Sequence, residues 1–428
     1  MEKYTVKPMK EKKNICVSVP GSKSITNRAL MLAAMSNQVC TLRGVLFSSD
    51  SRAFIDCLIK LGFQVQVNEQ ECTVEVQGEN GKIPNNHVEI NVESAGTAAR
   101  FITVLLAVAG GSYTLNSSEQ MKKRPMKELL DKLAEQGISF SFLEKENHFP
   151  FRMESKGIST IETEIDTTTS SQYASALLMA SVLNGMKIHL TGSRVRGAYI
   201  QITLEMMKQF GISFQKEENS YEIEQQSFGV TEYDIEPDMS AACYFYAMAI
   251  ILKTKAKVNG IHPDSLQGDK KFLEVLKQLG ATVEDTEEGV EVDASRVNSY
   301  SGIEIDMSDF SDQALTMAVV AAFASSKTII KNIGHIRKQE SDRVNVIATE
   351  LKKLGCETRI VENDDRTDVE IIPGTLHGAI IETYEDHRVA MSFAMAGLAV
   401  DGIVIENPLC CRKTFENYFD ILDQIINR

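Results

Sequence analysis

The sequence predicts an α/β protein of two pseudo-equivalent domains, each built from three repeats of one helix-and-strand unit. Three observations carry this. First, the chain has 428 residues, more than a single hydrophobic core usually supports. Second, five segments share one pattern of helix end, glycine and short strand: LIKLGFQVQV, KLAEQGISFSF, MKQFGISF, LKQLGATVE and LKKLGCETRI. Third, their glycines (Gly62, Gly137, Gly211, Gly280 and Gly355) are separated by 75, 74, 69 and 75 residues. A fixed period of this kind marks an internal repeat. Glycine suits the position because a helix often ends in a left-handed residue that a Cβ disfavours.

Each repeat opens with a polar cluster and an apolar helix: SITNRALMLAA, SAGTAARFITVLLA, SSQYASALLMASVL, DMSAACYFYAMAII, FSDQALTMAVVAAF and EDHRVAMSFAMAGLAV. A strand follows (TLRGV, YTLN, KIHLTG, AKVNG, TIIKNI, IVIEN), then a loop and the second helix that ends at the glycine. The sixth copy ends the chain in its second helix. Each unit has about the size of a split βαβ motif. A seam near Tyr233–Pro237 leaves three copies on each side. The expected domains are residues 20–235, and 1–19 together with 236–428, with hinges near 19–21 and 233–237. The initial strand region is expected to pair with the second domain.

Composition narrows the function classes. At 43% hydrophobic and 24% charged residues the chain reads as a globular protein. No apolar run reaches the length of a membrane span, and Met1-Glu-Lys-Tyr-Thr-Val lacks an apolar signal core, so a cytoplasmic, membrane-free protein is expected. The eight cysteines show no ligand spacing, which argues against a metal site or a disulfide framework; Cys410-Cys411 reads as a pair of structural thiols. A net charge of −14 argues against nucleic acid.

The positive charge nevertheless concentrates at the helix openings (Lys23, Arg28, Arg100, Arg388) and in the loops (Lys122, Lys123, Arg124, Arg194, Arg196, Arg337, Lys338, Arg343, Arg412, Lys413). Cations beside helix N-termini suit small polyanions, because free N–H groups and guanidinium forks converge there. Any one such arginine could equally solvate the surface. Gly21-Ser-Lys-Ser24, Ser94-Ala-Gly-Thr97 and Ser170-Ser171-Gln172 would allow close backbone approach to an anion. The first is not a P-loop, since the second glycine and its spacing are missing. Two acids lie in this basic setting, Asp312 at a helix start and Glu340 in a loop with Arg337, Lys338 and Arg343. Asp312 is as much an N-cap as a catalytic candidate on sequence grounds.

Eight motifs in order resemble the 5-enolpyruvylshikimate-3-phosphate synthase family over nearly the whole chain. They are VPGSKSITNRALMLAA (Val19–Ala34), SAGTAARF (Ser94–Phe101), MKKRPM (Met121–Met126), SSQYASALLMA (Ser170–Ala180), SDQALTMA (Ser311–Ala318), ESDR (Glu340–Arg343), DHRVAM (Asp386–Met391) and CCRKTF (Cys410–Phe415). The resemblance implies an inside-out α/β barrel pair of βαββαβ-type units with a cleft between the domains. It implies transfer of the enolpyruvyl group of phosphoenolpyruvate to shikimate 3-phosphate in aromatic amino acid biosynthesis, by a monomer with neither metal nor cofactor. Lys23, Ser24, Arg28, Ser170, Ser171, Gln172 and Asp312 would meet shikimate 3-phosphate. Lys23, Gly96, Arg124, Gln172, Arg343, Arg388 and Lys413 would meet phosphoenolpyruvate. Asp312, Glu340 and Lys23 would be catalytic. The sister family that acts on UDP-N-acetylglucosamine typically has a cysteine in the loop matching Met121–Met126, and this chain has none there.

The acceptor side departs from the family pattern. Ser94 and His335 stand where asparagine is common, and Gln339 where lysine is usual. Ser193, Arg194 or Arg196 would supply the expected phosphate contact. Either Lys338 or an extra arginine compensates for these changes, or the acceptor is a different one; a non-catalytic binding homologue is the further alternative.

Overall fold

The computed structural model describes residues 2–363 and 366–427, which divide into two compact units, Gly21–Glu236 and Met1–Pro20 with Pro237–Arg428. Five four-stranded sheets and one three-stranded sheet are present among the described residues. In a representative repeat, strand His87–Asn91 leads into helix Gly96–Ala109 and strand Gly111–Asn116. The two strands pair in parallel, as a helical crossover requires. Helix Lys127–Glu135 then leads to strands Ser139–Phe142 and Phe151–Ser155, which pair antiparallel, the second of them also pairing antiparallel with Gly111–Asn116. The order within a repeat is therefore β-α-β-α-β-β. This corrects the expected βαββαβ order: both helices precede the hairpin, whose short returning strand carries no turn signal distinct from a loop.

All five repeat glycines adopt left-handed φ, from +86° to +101°. The helices before them are amphipathic, burying one face each. The six opening helices are different. Helix His387–Gly397 is buried along its whole length, and Gly96–Ala109 along nearly all of it. A helix apolar on every side belongs inside. The sheets bury one face only, as in Thr73–Gln77 with its alternating Val74 and Val76. Helices inside and sheets outside is the inverse of an ordinary α/β barrel. No described helix is long and apolar enough to cross a membrane.

Each unit completes its sheets with strands distant in the chain but within the same unit. Glu232–Asp234 pairs in parallel with Val39–Arg43 and supplies the first strand of the first repeat. Ile15–Ser18 does the same for Lys255–Asn259 in the fourth. Lys3–Thr5 pairs antiparallel with Val404–Glu406 and completes the sheet of the sixth.

Candidate active site

In the unit containing residues 237–428, the predicted residues converge on Arg343. It is the first residue of helix Arg343–Lys353, which Asp342 caps, and its side chain is 2% exposed. Its Nε and Nη2 donate to the two oxygens of Asp386 at 2.8 and 3.2 Å. Nη1 donates to Asp312 at 3.1 Å and Nη2 to Glu340 at 3.0 Å. With the bond to Gln339, these four bonds to three carboxylates use all five donors of the guanidinium fork, two more than a lysine has. Burial works against the Arg343 charge, but Asp386, Glu340 and Asp312 outweigh it and hold the guanidinium protonated more firmly than usual. Arg388 Nη2 donates to the other oxygen of Asp312 at 3.0 Å, and Lys413 Nζ lies 3.6 Å from Glu340. Three cations thus alternate with three acids. Asp312 lies in the 3-10 turn Ser311–Gln313 and caps no helix; Gln313 holds the N-cap position of Ala314–Ala322.

In the unit Gly21–Glu236, Lys23 begins helix Lys23–Met35 and sits 3.4 Å from the buried Asp50. Gly96 begins the helix Gly96–Ala109, with the Arg124 guanidinium close by: a Cβ at 96 would stand 2.6 Å from Arg124 Nη1. Guanidinium and helix N-terminus together make an anion-binding corner. Arg100 donates to the carbonyl of Pro125 at 2.8 Å, and Tyr173 to the same carbonyl at 2.7 Å, fixing the loop that carries Arg124. Ser170 caps helix Ser171–Ala180 by accepting from the Gln172 N–H, and the buried Gln172 Oε1 has no hydrogen-bond partner among the described residues. Such an atom suits a ligand donor.

Arg28 is turned inward. It donates to Thr203 (2.7 Å), the carbonyls of Ser24 and Tyr199 (2.9 and 3.1 Å), and Ser175 (3.1 Å), beneath the Phe101 ring. Burial without an acid partner pulls its pKa down to about 10. Its donors are thus engaged by the scaffold. The Ser24 side chain makes no described contact with it. Of the three acceptor-loop candidates, Ser193 and Arg196 are exposed and Arg194 is half-buried; the Ser193 and Arg194 N–H groups donate to Thr168 and Thr167.

The altered positions have local partners. The Ser94 hydroxyl bonds that of Ser118 at 2.6 Å, His335 Nε2 meets Ser311 Oγ at 2.7 Å, and Gln339 Oε1 accepts from Arg343. Arg337 is engaged by Asp342 and Glu362. Two acids that contact the candidate residues escaped the sequence reading. Asp386 caps helix His387–Gly397 as well as gripping Arg343, and the capping pattern hides the second task. Asp50 lies in the first turn of Ser49–Lys60, where an acid needs no further explanation.

Residues 10–422 match the family described as EPSP synthase (3-phosphoshikimate 1-carboxyvinyltransferase). Among curated relatives, the 3-phosphoshikimate 1-carboxyvinyltransferase of Nostoc punctiforme is 37% identical over 416 residues, covering 96% of each chain. That of Vibrio campbellii is 37% identical over 431 residues, covering 99% of each. An EPSP synthase structure from Acinetobacter baumannii superposes with a TM-score of 0.81 at 22% identity, covering 99% of this chain and 98% of its own, a likeness of fold. The chain belongs to the EPSP synthase family.

Proposed function

We propose that this protein transfers the enolpyruvyl group of phosphoenolpyruvate to the 5-hydroxyl of shikimate 3-phosphate and releases phosphate. What supports the reading, beside family membership, is the alternation of Arg343, Arg388 and Lys413 with Asp312 and Glu340. The reaction needs a cationic cage for an anion and two acids whose protonation states differ. The cations are paired with the acids. A phosphate or carboxylate arriving at Arg343, Arg388 and Lys413 competes for them and eases protonation of both carboxylates. Glu340 then donates a proton to the methylene carbon, and positive charge develops at C2. Asp312 accepts the proton of the attacking 5-hydroxyl. Phosphate leaves the tetrahedral intermediate as the acids exchange roles, stabilised by the same cations. Lys23, Gly96, Arg124 and Gln172 complete the phosphoenolpyruvate set in this reading. Ser24, Arg28, Ser170, Ser171 and one of Ser193, Arg194 and Arg196 serve the acceptor.

Phosphate release from phosphoenolpyruvate is the direct test, with shikimate 3-phosphate and, separately, shikimate as acceptor. Release with the phosphorylated acceptor alone sustains the reading. Release with shikimate alone would assign Gln339, a neutral acceptor toward Arg343, to a changed acceptor. Asp312→Asn and Glu340→Gln should each lower kcat by roughly 10²–10⁴-fold while the circular dichroism spectrum stays unchanged. Near-normal turnover in either variant removes that residue from the chemistry.

A further inference from the structure

Beside the Arg343 cluster lies a fourth acid that the reaction scheme does not use. Asp269 sits in the 3-10 turn Gly268–Lys270, 7% exposed, and no described ion pair includes it. A buried carboxylate without a cation in direct contact is costly even with the Arg388 charge in range, and an asparagine would make the same contacts more cheaply. One oxygen of Asp269, Oδ2, accepts from both the Ser240 hydroxyl and Gln313 Nε2, the latter at 3.0 Å. These two donors lead in different directions. With its hydrogen given to Asp269, Ser240 turns its lone pairs toward Arg388 Nη2, 3.4 Å away. Gln313 is fully buried, is held at its other end by Thr316 (3.0 Å), and follows Asp312 directly in the chain.

We propose that Asp269 is a positioning residue for the Arg388–Asp312 ion pair, aligning Arg388 through Ser240 and Asp312 through Gln313. The inference rests on the proposed function and deepens it. Charge-assisted bonds hold Ser240 and Gln313 more stiffly than an amide would. The negative charge has a second consequence. Burial first, and then the Asp312 charge, push the Asp269 carboxyl up to about 6. That repulsion is mutual, so ionised Asp269 opposes the pull of Arg343 and Arg388 on Asp312 and favours its service as a proton acceptor.

The test compares wild type, Asp269→Asn, Ser240→Ala and the double variant in the full chain. Asp269→Asn keeps an acceptor for both donors and so preserves the fold, which thermal unfolding checks. Its kcat should fall about tenfold or more, the scale of a misaligned general base. Ser240→Ala should raise KM for phosphoenolpyruvate several-fold with a smaller change in kcat. In the double variant the loss in kcat/KM should fall short of the product of the single losses, because both act through one connected network. Folded Asp269→Asn with kcat and KM within about twofold of wild type would overturn the inference, as would strictly multiplicative losses. Should wild type bind phosphoenolpyruvate without turning it over, the proposed function fails. Calorimetric titration with phosphoenolpyruvate then decides the inference: weaker binding by Asp269→Asn supports it, and equal binding overturns it. Wild type that neither binds nor turns over phosphoenolpyruvate sinks both.

Discussion

Asp269 and Arg343 lie near one another in chemistry and far apart in their consequences for stability. Arg343 offsets its burial with three carboxylates, so removing it strands charges, and Arg343→Ala should destabilise by about 3–5 kcal/mol. For Asp269, burial and the Asp312 charge outweigh the help of Arg388, Ser240 and Gln313. Its folded pKa of about 6 lies above the ordinary carboxyl value, so the folded state holds its proton to higher pH than the unfolded chain does. Stability therefore falls as pH rises from about 4 to 6 and stays reduced above that. Asp269→Asn should remove this penalty. We expect a higher Tm than wild type at pH 8, by at most ~3 kcal/mol in stability, and no difference near pH 3.5. Thermal unfolding at the two pH values checks the sign. A lower Tm at pH 8 would mean that the charge stabilises the fold. Gain in stability with loss of turnover is the pattern expected of a strained functional group.

The helix-ending glycines show which elements can be read from sequence and which cannot. Their period was legible because a left-handed residue just past the helix end is a local demand on one position, met by Gly in five of the six repeats. The opening helices were legible as well, since SAGTAARFITVLLA and its counterparts leave no polar face to solvent. The returning strand of each hairpin was not, because its partner is chosen by tertiary pairing rather than by its own pattern. Asp386 was missed for a related reason: its ion pair with Arg343 spans 43 residues, whereas its capping bond spans two. Two glycines separate backbone strain from crowding. A Cβ at Gly211 would meet nothing within 4 Å, so Gly211→Ala carries only the left-handed penalty of ~1–2 kcal/mol. At Gly355 the Cβ would run into the Thr375 carbonyl as well. Chemical denaturation should rank Gly355→Ala as the more damaging of the two; equal losses would show that the segment around Thr375 yields freely.

At the scale of the whole molecule, the two units differ in how they are assembled from the chain. Gly21–Glu236 draws each of its strands from one continuous stretch, including Glu232–Asp234, which returns to pair with Val39–Arg43. Of the three sheets described in residues 237–428, one is built from that stretch alone and two take an edge strand from the first twenty residues. Ile15–Ser18 covers the edge of Lys255–Asn259, and Lys3–Thr5 covers that of Val404–Glu406. Val6, Ile15 and Val17 are buried in the core of that unit, Val6 directly against the backbone at Gly397. Tyr4 packs against Phe419 in a tilted ring pair with centroids 4.5 Å apart and donates to Asp423 at 2.6 Å. An uncovered parallel edge with apolar flanks invites aggregation. A fragment of residues 21–236 should therefore unfold cooperatively on its own, and a fragment of 237–428 should aggregate or melt without a transition. Joining residue 428 to residue 1 through a flexible linker, in a chain that runs from 237 through 428 to 20, should restore a cooperative transition. The linker has a short gap to span, because Tyr4 already packs on the helix that holds Phe419 and Asp423. If the short fragment melted as sharply as the permuted one, the first twenty residues would be an addition to a fold that stands without them.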